Sequence, residues 1–199
     1  MRAFESPRGY HLLTGLKPSP GTSGLQRAEL LGLRWSDIDW DGRTLHVQQT
    51  VYSLPRRGFF HEPPKNDGSV RQIYLTSTAI RALARQRAKQ GEAKLALGTS
   101  YADGDLVFVR PDGKPQDPSV FYRRIKSVAI KAGLERVHPH MLRHTYALMH
   151  LRAGTHPKVV SEILGRMSIT MTLDTYSHLI PDMQADAAAE FDRRLAIDS

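Results

Sequence analysis

Two stretches decide how the rest of the chain is read: His138-Pro139-His140-Met141-Leu142-Arg143-His144-Thr145 and Thr172-Leu173-Asp174-Thr175-Tyr176-Ser177-His178-Leu179. The first reads as a helix start and sets His140 and Arg143 three residues apart, which puts both side chains on one helix face. A helix start also offers unpaired backbone N–H groups and the positive end of the dipole, and both favour a phosphate. The second stretch offers the phenol of Tyr176 in a polar, threonine-rich turn. Phosphate-binding groups together with a phenolic nucleophile suggest chemistry on a phosphodiester.

The composition agrees with that direction. The chain has 199 residues and is 40% hydrophobic, enough for a core in one or two domains. Twenty-eight Lys and Arg against 20 Asp and Glu give a net charge of +8, which suggests nucleic acid or another anionic surface. The absence of cysteine excludes a disulfide framework and a thiolate metal site. No apolar run approaches the roughly 18 residues that span a bilayer. Met1-Arg2-Ala3-Phe4-Glu5-Ser6-Pro7 lacks the apolar stretch of a signal peptide, so a cytoplasmic protein without a membrane partner is expected.

Outward from the two stretches, the chain divides by pattern. Tyr10 to Leu13 suits a short helix, and Lys17 to Gly24 is a loop by composition. Leu25, Ala28, Leu30, Leu31 and Leu33 predict a helix packed on a core. Trp35 to Gly42 turns, with Asp41-Gly42 as the turn pair. Thr44 to Val51 alternates with period two and predicts one strand. Arg56-Arg57-Gly58 begins a basic loop that continues through Pro63 to Ser69, and Val70 to Leu75 is the next strand, so a small sheet displays Lys65 near a turn. Thr78 to about Leu97 predicts an amphipathic helix burying Ile80, Leu83 and Ala84. Leu106 to Val109 is a short strand or buried run, and Ser119 to Ala132 is a helix ended by Gly133. Helices follow over His140–Arg152, stopped by Gly154, and about Pro157–Leu164, stopped by Gly165. A third starts near Ser168, and Pro181 to Ala196 is an alanine-rich helical tail.

With these motifs in order, the sequence resembles the catalytic domain of the tyrosine recombinases, the phage-integrase family. Leu30-Leu31-Gly32-Leu33-Arg34-Trp35-Ser36-Asp37-Ile38-Asp39 is similar to the family's first box, and Pro64-Lys65 before a strand to its lysine hairpin. His140-Met141-Leu142-Arg143-His144-Thr145 resembles its HxLRHT box. Leu164 to Thr172, followed by Thr175-Tyr176-Ser177-His178, resembles its closing box and nucleophile. The resemblance implies an α+β fold, mainly α-helical, with a small antiparallel sheet. It also implies cleavage and rejoining of duplex DNA through a 3′-phosphotyrosyl link, with no metal or other cofactor because the covalent link stores the bond. Tyr176 is then the nucleophile, Arg143 the second of two phosphate-clamping arginines, and His140 and Lys65 the proton-handling pair, with Lys65 the acid for the leaving 5′-oxygen. Tetramers on two duplexes are implied as well, with Met183–Leu195 packing on a neighbour. The expected division is a lead over 1–23, the catalytic domain over 24–180 and a C-terminal helix over 181–199.

Two positions depart from the pattern. The family's first arginine falls three residues before Glu29, and here that residue is Gln26. Glutamine is neutral and has no guanidinium fork. Arg27 is adjacent, but one helical residue is a rotation of about 100°. After Leu164-Gly165, where the family has His or Trp, stands Arg166, a second candidate for positive charge at the site. A short Pro/Gly-rich lead replaces the family's upstream helical domain, so the chain reads as a truncated or degenerate member.

Other readings of the same residues compete. His140 and His144 have the i, i+4 spacing of zinc ligands, yet no Glu lies between them and no third ligand is apparent, so no metal is expected. The segment His140–Gly165 also resembles a helix-turn-helix, which makes a transcription regulator an alternative. Against it, Val159, Val160, Ile163 and Leu164 are too apolar for a groove-facing helix. A catalytically impaired DNA-binding relative is the other alternative, favoured by Gln26. Arg56, Arg57, Arg81, Arg85, Arg87, Lys89, Arg123, Arg124, Lys126 and Lys131 suit a phosphate track spread over several elements.

Overall fold

The structure, a computed structural model, describes residues 24–54, 58–62, 70–131, 133–134, 137–165, 188–189, 191–193 and 195. The expected helices at Tyr10–Leu13 and from Ser168, the lead over 1–23, and Arg56, Arg57, Lys65, Arg166 and Tyr176 lie outside those residues. The chain forms two compact units, Met1–Tyr146 and Ala147–Ser199.

The first unit begins with helix α1, Arg27–Gly32. Gln26 is its N-cap in extended geometry, and its backbone N–H donates to Glu29 Oε2 at 2.7 Å. Leu30 and Leu31 are buried, and α1 packs against strand β3. Gly32 makes that approach possible. A Cβ there would lie 3.2 Å from the Gln49 carbonyl oxygen and 3.3 Å from Val51 Cγ2. Gln49 Nε2 in turn donates to the Gly32 carbonyl at 2.6 Å.

A single 3-10 turn, Trp35–Asp37, leads into strands β1 Ile38–Asp39, β2 Thr44–Val47, β3 Thr50–Leu54, β4 Gly58–Glu62 and β5 Arg71–Tyr74. These make two antiparallel sheets, β1-β2-β5 and the hairpin β3-β4. Two expectations are corrected here. The period-two run Thr44–Val51 is not one strand: it breaks at Gln48-Gln49 and feeds both sheets, because the Gln49 side chain turns onto the Gly32 carbonyl. The stretch expected as loop from Gly58 is strand β4, where Phe60 faces Tyr52 across the ladder. The expected pairing of the flanking strands holds between β2 and β5, with Leu45 opposite Ile73.

Helix α2, Ser77–Leu97, starts at Thr76, whose Oγ1 accepts from the Ala79 N–H at 3.2 Å, and ends at Gly98 with φ +53°. Its buried stripe is Ala79, Leu83 and Gln86, while Ile80 is half-buried and Ala84 exposed. The face is rotated from the expected one for a polar reason. The Val107 carbonyl sits in the buried run Leu106–Phe108, and the side-chain amides of Gln86 and Gln90 donate to it at 3.1 and 2.6 Å. That carbonyl needs a donor once it is out of water, so the helix turns its glutamines inward.

Helix α3 spans Pro118–Lys131. Asp117 Oδ1 accepts from the Ser119 and Val120 amides at 2.7 and 3.2 Å, and the Val120 and Ser119 bonds hold its carboxyl below the usual range. Gly133 and Leu134 close α3 by bonding back to the Ile130 and Ala129 carbonyls. Helix α4 spans Pro139–Arg152, and the boundary between the units falls within it. In the second unit, Gly154 at φ +77° closes α4 and helix α5, Pro157–Ile163, follows. Val160, Ser161 and Leu164 are buried and Ile163 is half-buried, whereas Val159 is 44% exposed, so α5 packs part of its expected apolar set and leaves Val159 outside. No helix among the described residues is long and apolar enough to cross a membrane.

One buried ion pair ties α1 to the three-stranded sheet. Arg71 Nη1 and Nη2 donate to Glu29 Oε1 and Oε2 at 2.8 and 3.0 Å, with side chains 7% and 3% exposed. Stranding one partner in the interior costs about 3–5 kcal/mol, whereas an apolar pair of similar volume costs far less. Glu29→Leu is therefore expected to lower the urea midpoint sharply, and Glu29→Leu with Arg71→Met to recover most of the loss. Equal losses in both would show that the pair is not what holds α1.

Candidate functional site

The first turn of α4 explains how the histidine–arginine pair is presented. His138 precedes the helix and its Nδ1 accepts from the Met141 N–H at 3.1 Å, with Pro139 in the first helical position. An accepting Nδ1 leaves the neutral ring's proton on Nε2. His156 Nδ1 accepts from the Lys158 N–H at 3.2 Å in the same way before Pro157 of α5. Imidazole caps with proline behind them thus start both helices.

From that start the two candidate side chains diverge in exposure. His140 is exposed, whereas Arg143 is only 3% exposed. Arg143 Nη1 donates to the Gly24 carbonyl at 2.6 Å. This bond crosses 119 residues of sequence and seats the HxLRHT helix on the segment that leads into α1. Leu25, 1% exposed, is buried next to it, and Gln26 follows as the exposed N-cap of α1. The bond thus sets Arg143 on the backbone two residues before Gln26, the position at which the resemblance implies the other arginine. Arg27, one residue on, is exposed in the first turn of α1.

The electrostatics favour a neutral histidine. Partial burial, then the Arg143 guanidinium, then His138, push His140 below its ordinary value. His144 is lowered too, by burial first and then by His140, Arg143 and His138. The His140 and His144 rings meet edge to face, 4.3 Å between centroids. At neutral pH His140 is thus a base beside a fixed positive charge, suited to taking or sharing a proton near a phosphate. The nearby phenol of Tyr146 is unlike the expected nucleophile. It is 7% exposed, and burial pushes it up to about 12.

The Phage integrase family model matches residues 22–182. The chain belongs to the phage integrase family. It is 32% identical over 194 residues to the XerC-like tyrosine recombinase of Caldanaerobacter subterraneus subsp. tengcongensis, covering 92% of this chain and 49% of that protein. It is 28% identical over 170 residues to the ICEBs1 integrase of Bacillus subtilis, covering 85% and 46%. The chain thus spans about half the length of these curated relatives. Among solved structures, the integrase of transposon Tn1549 in complex with transposon right-end DNA superposes with a TM-score of 0.71 at 23% identity, covering 94% of this chain and 64% of that one. The XerA recombinase superposes with a TM-score of 0.59 at 25% identity, covering 86% and 54%. The expected mainly helical α+β fold with its small antiparallel sheet is that of this phage-integrase-family domain.

Two contacts around the candidate residues are not legible in the sequence. Neither the Gly24 acceptor of Arg143 nor the Arg71 partner of Glu29 was singled out. Gln26-x-x-Glu29 does carry a capping-box spacing, and that was the available signal for Glu29. No sequence signal names Gly24, because it contributes only a carbonyl.

Titration checks the electrostatics. His140 in the folded protein is expected to titrate below about 6.5 by NMR, and Arg143→Gln is expected to raise that midpoint, because the guanidinium disfavours the imidazolium. An unchanged midpoint would show that His140 does not feel Arg143. His140, His144 and His150 are all lowered on folding, His150 by burial. As pH falls below about 6.5 the unfolded chain binds protons first, so stability is full above that pH and declines through the lower folded values.

Proposed function

We propose that this chain is the catalytic part of a site-specific tyrosine recombinase that cuts and rejoins duplex DNA through Tyr176. The observation that carries the reading is the Arg143–Gly24 bond, which joins the HxLRHT helix to the first box and sets a guanidinium beside a neutral His140. The names of the XerC-like and ICEBs1 relatives support the same activity. In this reading the Tyr176 oxygen attacks the phosphorus, forming a 3′-phosphotyrosyl link and releasing the 5′-hydroxyl. A 5′-hydroxyl later reverses the step. Arg143 stabilises charge on the non-bridging oxygens, His140 handles a proton, and Lys65 protonates the leaving oxygen. Arg166 adds positive charge on the closing box. The catalytic domain is 24–180, working in the cytoplasm.

Exposed Arg81, Arg85, Lys89, Arg123, Arg124 and Lys126 suit contacts to the phosphate backbone. A tetramer on DNA, with Met183–Leu195 packing on a neighbour, fits the helical residues 191–193 and 195, where Phe191 and Leu195 are 63% and 53% exposed one turn apart.

Gln26 favours a second reading, a DNA-binding relative with impaired catalysis. Loss of one preorganised donor in such a site costs about 3–4 kcal/mol, or ~10²–10³ in rate. One assay separates the readings. A pool of nicked duplexes of randomised sequence is incubated with the protein and resolved on a denaturing gel. The recombinase reading predicts a covalent adduct that Tyr176→Phe abolishes and Gln26→Arg increases about 10²-fold or more. DNA binding with no adduct in either the native chain or Gln26→Arg would overturn it. Arg166→Ala is expected to weaken the residual cleavage, and unchanged cleavage would remove Arg166 from the site.

A further inference from the structure

The Glu29–Arg71 pair does more than pack. Glu29 Oε2 accepts from two donors at once, Arg71 Nη2 at 3.0 Å and the Gln26 backbone N–H at 2.7 Å. The same carboxylate therefore fixes the residue at the family's first-arginine position and the first residue of β5. Two residues before Gln26, the Gly24 carbonyl receives Arg143. Two guanidinium groups, Arg71 through Glu29 and Arg143 directly, thus hold the short segment Gly24–Gln26 from two elements. β5 is also the strand that follows the Lys65 segment in sequence.

We infer that Arg71 is a positioning residue of the recombination site, acting through Glu29 to set Gln26 and the start of α1 against Arg143. The inference rests on the strand-cleavage reading above. Its chemistry is geometric. A guanidinium presents two parallel N–H donors to a carboxylate and so fixes the carboxylate plane, whereas an ammonium satisfies the charge without fixing orientation. A carboxylate held in that plane keeps one lone pair on the Gln26 amide. If the carboxylate rotates, the N-cap and the Gly24 carbonyl two residues earlier shift with it. Small displacements of this kind act on the rate of a preorganised site more than on binding.

The test uses Arg71→Lys, which keeps the buried positive charge that folding needs and removes the fork. Two measurements are made on the full chain. The first is hydrogen exchange at the Gln26 amide, with the Leu83 amide in α2 as the control for general loosening. At least tenfold faster exchange at Gln26, with Leu83 unchanged, is expected. The second is single-turnover cleavage and affinity on a nicked duplex recovered from the randomised pool. At least a tenfold slower cleavage rate is expected, with DNA affinity within threefold of the native chain. Unaltered Gln26 exchange, or equal acceleration at Gln26 and Leu83, overturns the inference whether or not the native chain cleaves DNA. Faster exchange at Gln26 with an unaltered cleavage rate overturns it as well. Failure of the native chain and Gln26→Arg to form any adduct overturns the cleavage reading instead, and the exchange result alone then decides whether Arg71 sets Gln26.

Discussion

A buried carboxylate is costly unless its oxygens are met by fixed donors, and Glu29 meets that condition with Arg71 and the Gln26 amide. Much of the first unit's arrangement depends on this. Glu29 lies in the first turn of α1, Arg71 opens β5, and β5 pairs with β2. Because both Glu29 oxygens are engaged by one planar group, α1 cannot slide or rotate on the sheet without breaking two charge-assisted bonds together. Gly32 at the far end of the helix adds a steric lock against Gln49, Thr50 and Val51. A six-residue helix is too short to be stable by its own hydrogen bonds, so these two anchors define it.

The consequence for the site is a prearranged half. Arg143 reaches a backbone carbonyl that the anchored helix start holds in place, and partial burial followed by its charge lowers His140 below the ordinary imidazole value. What is unusual is the residue beside it. Gln26 occupies a position where the family implies a guanidinium, and it does so in a backbone frame that is intact. The frame rests on Glu29, which accepts from the Gln26 amide and from Arg71, and these contacts do not need a charged side chain at 26. Loss of charge and loss of architecture are therefore separable in this chain.

Much of the fold was legible in the sequence because local signals and tertiary demands agreed. Gly133 closes α3, Gly154 closes α4, and Pro157 and Gly165 bracket α5, each by a signal that works within a few residues. Misreadings arose where a distant partner decided. Thr44–Val51 alternates like one strand, and only the Gly32 carbonyl, which captures Gln49, breaks it in two. Gly58–Glu62 sits among turn residues and reads as loop until Tyr52 supplies a cross-strand partner for Phe60. The α2 face was chosen by hydrophobicity, while the structure chose it by the hydrogen-bonding need of Val107. The placing of His140 and Arg143 in the first turns of one helix was legible from spacing and box. Gly24 was not, since a carbonyl acceptor leaves no trace in residue identity, and Arg71 looked like any other basic residue of a positively charged chain.

The central claim is that one carboxylate, gripped by both arms of Arg71, fixes the start of α1. Proton NMR of the arginine side chains in the DNA-free protein tests it most directly. A guanidinium bonded through both Nη groups cannot rotate freely, so Arg71 is predicted to show resolved, slowly exchanging Nη protons that collapse in Glu29→Gln. Arg71 signals as averaged and fast-exchanging as those of exposed Arg81 or Arg85 would contradict it.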